Sequence, residues 1–415
     1  MNATLFKNVH VLDVRAGQLL EDHQVLVEGD AIRELSDRPI TATTARVIDG
    51  GGRTLMPGLI DCHVHVTFSQ TNLGLLAQTP QTTLALRALP ILRGMLRRGF
   101  TTVRDAGGAD WALKQAIDDG IDGTVTGPRL FVSGPALSPT GGHGDFRPRS
   151  DRLQPIGCGC QRLASTRVVD GVDAVRQAVR ELLQMGADQI KIMSSGGVAS
   201  PTDPVNALGY SLEETRAIVD EAAARHTYVL AHAYTPEAIR RAVECGVRSI
   251  EHGNLIDAPT AELMAERGAF AVPTLITYEA LARDGARLGL GAESVAKIEQ
   301  VRAAGLKSLE ILKTAGVRMA YGTDLLGASH GLQSEEFLIR AQVQSNLEVL
   351  QSATLIGAEL LNQVGVIGEI ASGARADLLL VDGNPLADLA CLTGQGERIP
   401  LVMQGGKLRV NELRA

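Results

Sequence analysis

Between about residues 56 and 364, short apolar, β-branched runs alternate with amphipathic stretches, and this alternation constrains the fold more than any other feature of the chain. The runs are LIDCHVHV, TTVRDAG, PRLFVSG, QIKIMSSGG, TYVLAHA, VRSIEHG, FAVPTLI and VRMAYGTD, eight in all. Between them lie helical segments such as DAVRQAVRELLQMG, SLEETRAIVDEAAARH and TPEAIRRAVECG. In the second of these, apolar Leu212, Ala217, Ile218 and Ala222 stand among acidic residues. A strand followed by a glycine-ended helix, repeated, reads as βα units. Eight such units over roughly 300 residues match an α/β fold of the (β/α)8 TIM-barrel kind. Residues 1–55 and 365–415 read instead as short strands separated by turn residues. Neither end holds enough strands for a stable sheet alone. The two ends are therefore expected to pair into one composite β-sandwich, with the 56–364 barrel inserted between them.

Two stretches break the rhythm. Residues 137–170 are too rich in Gly, Pro and Arg for a regular element, and SGGVASPTDPVNALGYS follows the fourth strand. Both fall after barrel strands, on the face where such barrels hold their sites, so both are expected to touch substrate.

Composition removes several function classes. The net charge of -7 gives no electrostatic footprint for nucleic acid or an acidic membrane, and 3% aromatics leave no stacking platform for bases. Five cysteines, an odd number in a long chain, argue against a disulfide scaffold and for a reducing compartment. The pair Cys158 and Cys160 carries no functional reading. The N-terminus alternates like a strand and lacks the apolar core of a signal peptide. No apolar run reaches the roughly 18 residues a membrane span needs. The expectation is a cytoplasmic homo-oligomer acting on a small molecule.

The histidines carry the functional argument. His63 and His65 are two apart on the first barrel strand, so both imidazoles face one side. His232 closes TYVLAHA, His252 closes VRSIEHG and Asp324 closes VRMAYGTD. Strand ends in a barrel ring one pocket. Four imidazoles and a carboxylate converging there suit zinc or a similar divalent ion. Lys191 lies mid-strand in QIKIMSSGG, where a bare ammonium is costly. Burial and nearby cations favour the neutral amine, which can take up carbon dioxide. The resulting carbamate, N6-carboxylysine, has two oxygens able to bridge two metals. A lysine paired to a carboxylate is the plainer alternative.

The segments PGLIDCHVHV, KIMSSGG, HAYTP, IEHG and GTDLLG, in this order, resemble the amidohydrolase superfamily. Within it they are similar to the prolidase-type dipeptidases once grouped with imidazolonepropionases. The opening FKNVHVLDVRAG and the closing ARADLLLVDGNPLADL are similar to that family's terminal β domain, so the resemblance spans nearly the whole chain. It implies two divalent metal ions. His63, His65 and Asp324 would serve the first, His232 and His252 the second, and carbamylated Lys191 would bridge them. Asp324 would take a proton from the attacking water and pass it to the leaving amine. By the same resemblance His143, in PTGGHGDF, would hydrogen-bond the carbonyl oxygen as charge develops there. Tyr234, two residues after His232, would bind the substrate's free carboxylate, and His330 would line the pocket. Loop arginines Arg147 or Arg149 could add charge there.

The implied activity is hydrolysis of an amide next to a C-terminal, hydrophobic amino acid, in dipeptides or N-acyl amino acids, ochratoxin-like N-aroyl amino acids included. The alternative is a cyclic-amide hydrolase such as imidazolonepropionase. Those relatives use one metal and lack the bridging lysine, so Lys191 counts against it. A barrel used only for binding is disfavoured, because it would keep buried polar groups for no gain.

Overall fold

The computed structural model describes residues 3–76, 78–120, 124–147, 165–200, 203–285, 290 and 292–413. Eight parallel strand positions follow the runs in the sequence: Leu59–Val64, Phe100–Asp105, Arg129–Val132 continued by Ala136–Ser138, Ile190–Met193, Val229–Ala233, Ser249–His252, Phe270–Val272 and Arg318–Met319. The last is tied back to the first, where Cys62 N donates to Tyr321 O at 2.7 Å and Asp324 N donates to His63 O at 2.8 Å. The ring of strands is thereby closed.

The helices pack on the outside by their apolar stripes. Val172–Gln184 buries Val175, Ala178, Val179 and Leu182, spaced for one helical face. Leu212–Ala223 starts at a capping box formed by Ser211 and Glu214, and buries Ala217, Ile218 and Ala222 while Leu212 stays half-exposed. One run read as a single element divides. FAVPTLI gives a strand that stops at Val272 and a helix, Leu275–Asp284, that starts two residues past Pro273. The stretch 137–170, expected to hold no regular element, contains the strand Thr166–Val168, which pairs in parallel with Ala136–Ser138. Cys158, Cys160 and Arg149 lie outside the described residues.

The chain ends pair as expected, but into one continuous seven-stranded sheet rather than two facing ones. The reason is the length of Arg46–Pro57. Residues 46–55 of this strand pair in parallel with Ala3–Asp13, and residues 54–57 pair antiparallel with Leu378–Val381. One strand thus joins the N-terminal and C-terminal halves. The sheet then curls back: Ile32 N donates to Ala374 O and Ala376 N donates to Asp30 O, both at 2.8 Å. Leu378 and Leu380 face the core inside this curl with Phe6 and Val25. Alternate residues Leu379 and Val381 face the barrel side with Leu92 and Phe100.

Candidate metal centre and its cavity

Strand alternation decides what enters the barrel. On the first strand Cys62 and Val64 pack outward into apolar clusters, leaving Asp61, His63 and, just past the strand end, His65 on the other face. Ile190 and Ile192 face the helices, so Lys191 faces in; Ala231 and Ala233 do the same for His232. At the sixth strand the alternation is broken. Glu251 faces in, and His252 also does so because its backbone turns to φ 73°. Asp324 has φ 51°. Positive φ in a residue other than glycine is strained and tends to mark functional positions.

These residues converge. One ligand atom each from His63, His65 and Asp324 lies within 4.8 Å of the others. Asp324 Oδ1 is 3.5 Å from His63 Nε2 and 3.2 Å from His65 Nε2. Ring centroids of His63 and His252 are 4.9 Å apart, and those of His232 and His252 are 4.7 Å apart. Lys191, 2% exposed, lines the same cavity.

Each imidazole has one nitrogen engaged on the far side from this centre. His63 Nδ1 lies 2.6 Å from Glu251 Oε2, His65 Nδ1 is 2.8 Å from Gly107 O, and His252 Nδ1 is 2.8 Å from Thr274 Oγ1. His232 uses the opposite atom, with Nε2 3.1 Å from Gly196 O. A ring nitrogen that donates its proton outward leaves the other as a lone-pair donor inward, which is the tautomer metal ligation requires. Burial pushes His232 and His252 well below the usual imidazole range, towards the neutral form. Burial opposes the Asp324 carboxylate, but hydrogen bonds and attraction from His63 and His65 hold it well below the usual carboxylate range. Burial lowers Lys191 to about 8, against the pull of Glu251 and Asp324. Four imidazoles that each turn one nitrogen to the centre, an ionised carboxylate and an amine easily made neutral fit a site for divalent cations.

Beneath the centre lies an ion pair that the sequence reading missed. Arg104 and Glu251 are both fully buried, with Arg104 Nη2 2.9 Å from Glu251 Oε1. Arg104 Nε also donates to Cys62 O, and Ser249 Oγ donates to Glu251 Oε1. Burial alone would protonate Glu251; Arg104 first, then His63, holds it ionised. Its position immediately before His252, and the arginine inside TTVRDAG, were the available signals.

His143 reaches the cavity from the loop after the third strand. Its Nδ1 is 2.7 Å from Ser200 Oγ and 3.7 Å from Asp203 Oδ2, and its ring stacks on His232 at 4.4 Å. A Cβ at Gly197 would lie 2.0 Å from the His143 ring, so only glycine admits the approach. Tyr234 is 2% exposed and lines the cavity, its hydroxyl 2.9 Å from that of Tyr278, which the sequence reading also missed. Phe68, Leu73, Phe146 and Leu326 form an apolar wall. Two expectations are corrected. His330 does not line the cavity; it is buried behind the wall, with Nε2 3.1 Å from Phe68 O. Arg147 does not line the cavity either; its Nε and Nη2 edge donates to Asp145, at 2.7 and 2.6 Å.

The profile of the amidohydrolase family matches residues 54–408. The chain belongs to this family. Among characterised amidohydrolases it is similar to an ochratoxinase of Aspergillus niger, 34% identical over 366 residues, covering 85% of this chain and 75% of the relative. A crystal structure of an amidohydrolase superposes with a TM-score of 0.97 at 60% identity, covering all of both chains. A prolidase complexed with N-methylphosphonate-L-proline superposes with a TM-score of 0.95 at 57% identity, covering 98% of this chain and 99% of the other. The chain is thus an amidohydrolase acting on amide bonds, and no helix among its described residues is long and apolar enough to cross a membrane.

Proposed function

We propose that this amidohydrolase uses two divalent ions to hydrolyse the amide of dipeptides or N-acyl amino acids, releasing a C-terminal amino acid with a free carboxylate. The observation that carries the reading is the set of outward hydrogen bonds that leaves one inward nitrogen on each of His63, His65, His232 and His252, around Asp324 and Lys191. In this reading His63, His65 and Asp324 would hold one ion and His232 and His252 the other, with Lys191, as its carbamate, available as a further ligand. Bound there, the cations, zinc by preference of the donor set, would supply Lewis acidity, polarising the scissile carbonyl and acidifying water towards a pKa of about 7.

The remaining work falls to side chains. Asp324 is ionised at rest, so it accepts a proton from the attacking water. As the C–N bond breaks, it delivers that proton to the leaving nitrogen. His143 is oriented by Ser200 and Asp203 and hydrogen-bonds the carbonyl oxygen as negative charge builds. Tyr234 donates to the substrate carboxylate. The apolar wall of Phe68, Leu73, Phe146 and Leu326 favours hydrophobic side chains. Similarity to an ochratoxinase and to a prolidase supports substrates that end in a free amino acid, including N-aroyl forms.

The test is a screen of dipeptides and N-acyl amino acids against enzyme loaded with zinc and bicarbonate, scored by released amino acid, with metal content measured alongside. Hydrophobic substrates with a free carboxylate and close to two ions per chain are expected. Equal cleavage of free-acid and amidated substrates, or preference for a lactam, overturns the substrate assignment; a single ion per chain overturns the two-metal assignment.

A further inference from the structure

The loop after the fourth barrel strand touches three of the site's side chains, and its two parts are held by different means. Its base is a backbone ladder: Gly196 N donates to Ala207 O at 2.9 Å, and Gly209 N donates to Ser194 O at 3.0 Å. This base carries the contacts to two residues of the fifth strand end, with Gly196 O 3.1 Å from His232 Nε2 and Ser195 Oγ accepting from Tyr234 N at 3.1 Å. Further along, Ser200 and Asp203 face His143 instead, Ser200 Oγ at 2.7 Å and Asp203 Oδ2 at 3.7 Å from its Nδ1. These two residues are fastened from outside the loop. Lys297 Nζ donates to Ser200 O at 2.7 Å and to Asp203 O at 3.0 Å.

Lys297 belongs to the helix Ala292–Thr314, which runs between the seventh and eighth strands. It is half-buried and does not line the cavity. On the same helix Ile298 and Val301 pack in one apolar cluster with Val198 and Val205 of the loop. A charged donor makes a stronger hydrogen bond than a neutral one, and an ammonium held on two carbonyls fixes the distance between them. The side chains of Ser200 and Asp203, and the His143 ring they meet, are fixed with it. We propose that Lys297 is a positioning residue for His143, holding the ring where it can reach the carbonyl oxygen of the substrate. This rests on the reading of His143 as the donor to that oxygen. Because the base of the loop is held by its own backbone ladder, the influence of Lys297 falls on His143 and spares His232, so it is felt in turnover and not in metal binding.

The test uses the zinc-loaded full chain and the fastest-cleaved of the N-acetyl derivatives of Leu, Phe, Met and Pro, reading kcat, KM and the zinc dissociation constant separately. Lys297→Met keeps the apolar stem and removes the donors. It is expected to lower kcat about 10-fold, with KM and zinc affinity unchanged within about 2-fold. Lys297→Gln, which keeps one donor group, should fall between, and Lys297→Arg should recover most of the loss. Lys307→Met removes a charge from an exposed position of the same helix and should change nothing. In a His143→Ala background, Lys297→Met should change kcat less than about 2-fold, because the two residues act as one unit. If His143→Ala lowers kcat and Lys297→Met does not, the proposal is wrong while the role of His143 stands. If Lys297→Met lowers kcat equally with and without His143, or weakens zinc binding, Lys297 acts by another route and the proposal is overturned. If His143→Ala leaves kcat intact, the role of His143 falls and takes that of Lys297 with it.

Discussion

Replacing Lys191 with methionine should make the metal-free protein more stable while abolishing its activity. The amine is 2% exposed and sits at about 8, against 10.5 for an ordinary lysine, chiefly because burial penalises the ammonium. Its folded pKa lies below its unfolded one, so the unfolded chain binds more protons between pH 8 and 10.5, and stability rises with pH across that window. At pH 7 the group is charged in both states and the full penalty applies. The gap between 10.5 and about 8 corresponds to about 3 kcal/mol of destabilisation. Methionine is unbranched and only one atom shorter than lysine, and it removes the charge. Lys191→Met should therefore gain about 3 kcal/mol at pH 7, about 2 kcal/mol at pH 9, and nothing above about pH 10.5. Urea unfolding followed by circular dichroism, after chelation and in buffer freed of carbon dioxide, measures this directly. Adding zinc and bicarbonate should reverse the order, because only the lysine form can make the carbamate and gain from binding both ions. A variant that is no more stable at pH 7, or whose advantage grows towards pH 10, would refute the claim that burial of the amine dominates.

Other outcomes follow from the same geometry. Glu251→Gln should destabilise the fold by about 3–5 kcal/mol, since it strands the buried Arg104 charge, and should weaken zinc binding through His63; denaturation and metal titration check the two effects separately. Gly197→Ala should displace the His143 ring and lower kcat about 10²–10³-fold, close to His143→Ala, with normal metal content; a near-wild-type kcat would mean His143 does not act on the carbonyl oxygen. Asp324→Asn should cut kcat far more than it raises KM, because both a metal ligand and the proton carrier are lost. Tyr234→Phe should lower kcat/KM for free-acid substrates and leave that for their amides nearly unchanged, in a paired kinetic comparison.

The barrel and the strand-end histidines were legible in the sequence because both rest on short-range periodicity. Strand alternation puts His63 and His65 on one face wherever the strand lies, and the βα rhythm needs no knowledge of distant partners. The same local rules misjudge places where the backbone departs from them. His252 and Glu251 are neighbours that both face inward only because His252 takes a positive φ, which no pattern of apolar residues encodes. His330 follows Asp324 closely in sequence, yet the 3-10 turn Gly327–Glu335 carries it behind the cavity wall.

By itself the sequence determined the element order, the closed ring of parallel strands and the residues able to meet at its mouth. Only the tertiary structure decided how those residues are held. Which nitrogen of each imidazole faces inward depends on Glu251, Gly107, Thr274 and Gly196, and every one of these lies on a different strand or loop from the ring it orients, Gly196 being 36 residues from His232. The chain ends likewise formed one sheet because a single long strand, Arg46–Pro57, pairs with both halves. Such pairings are set by register across strands and by where a helix happens to start, and these are properties of the packed chain rather than of any local segment.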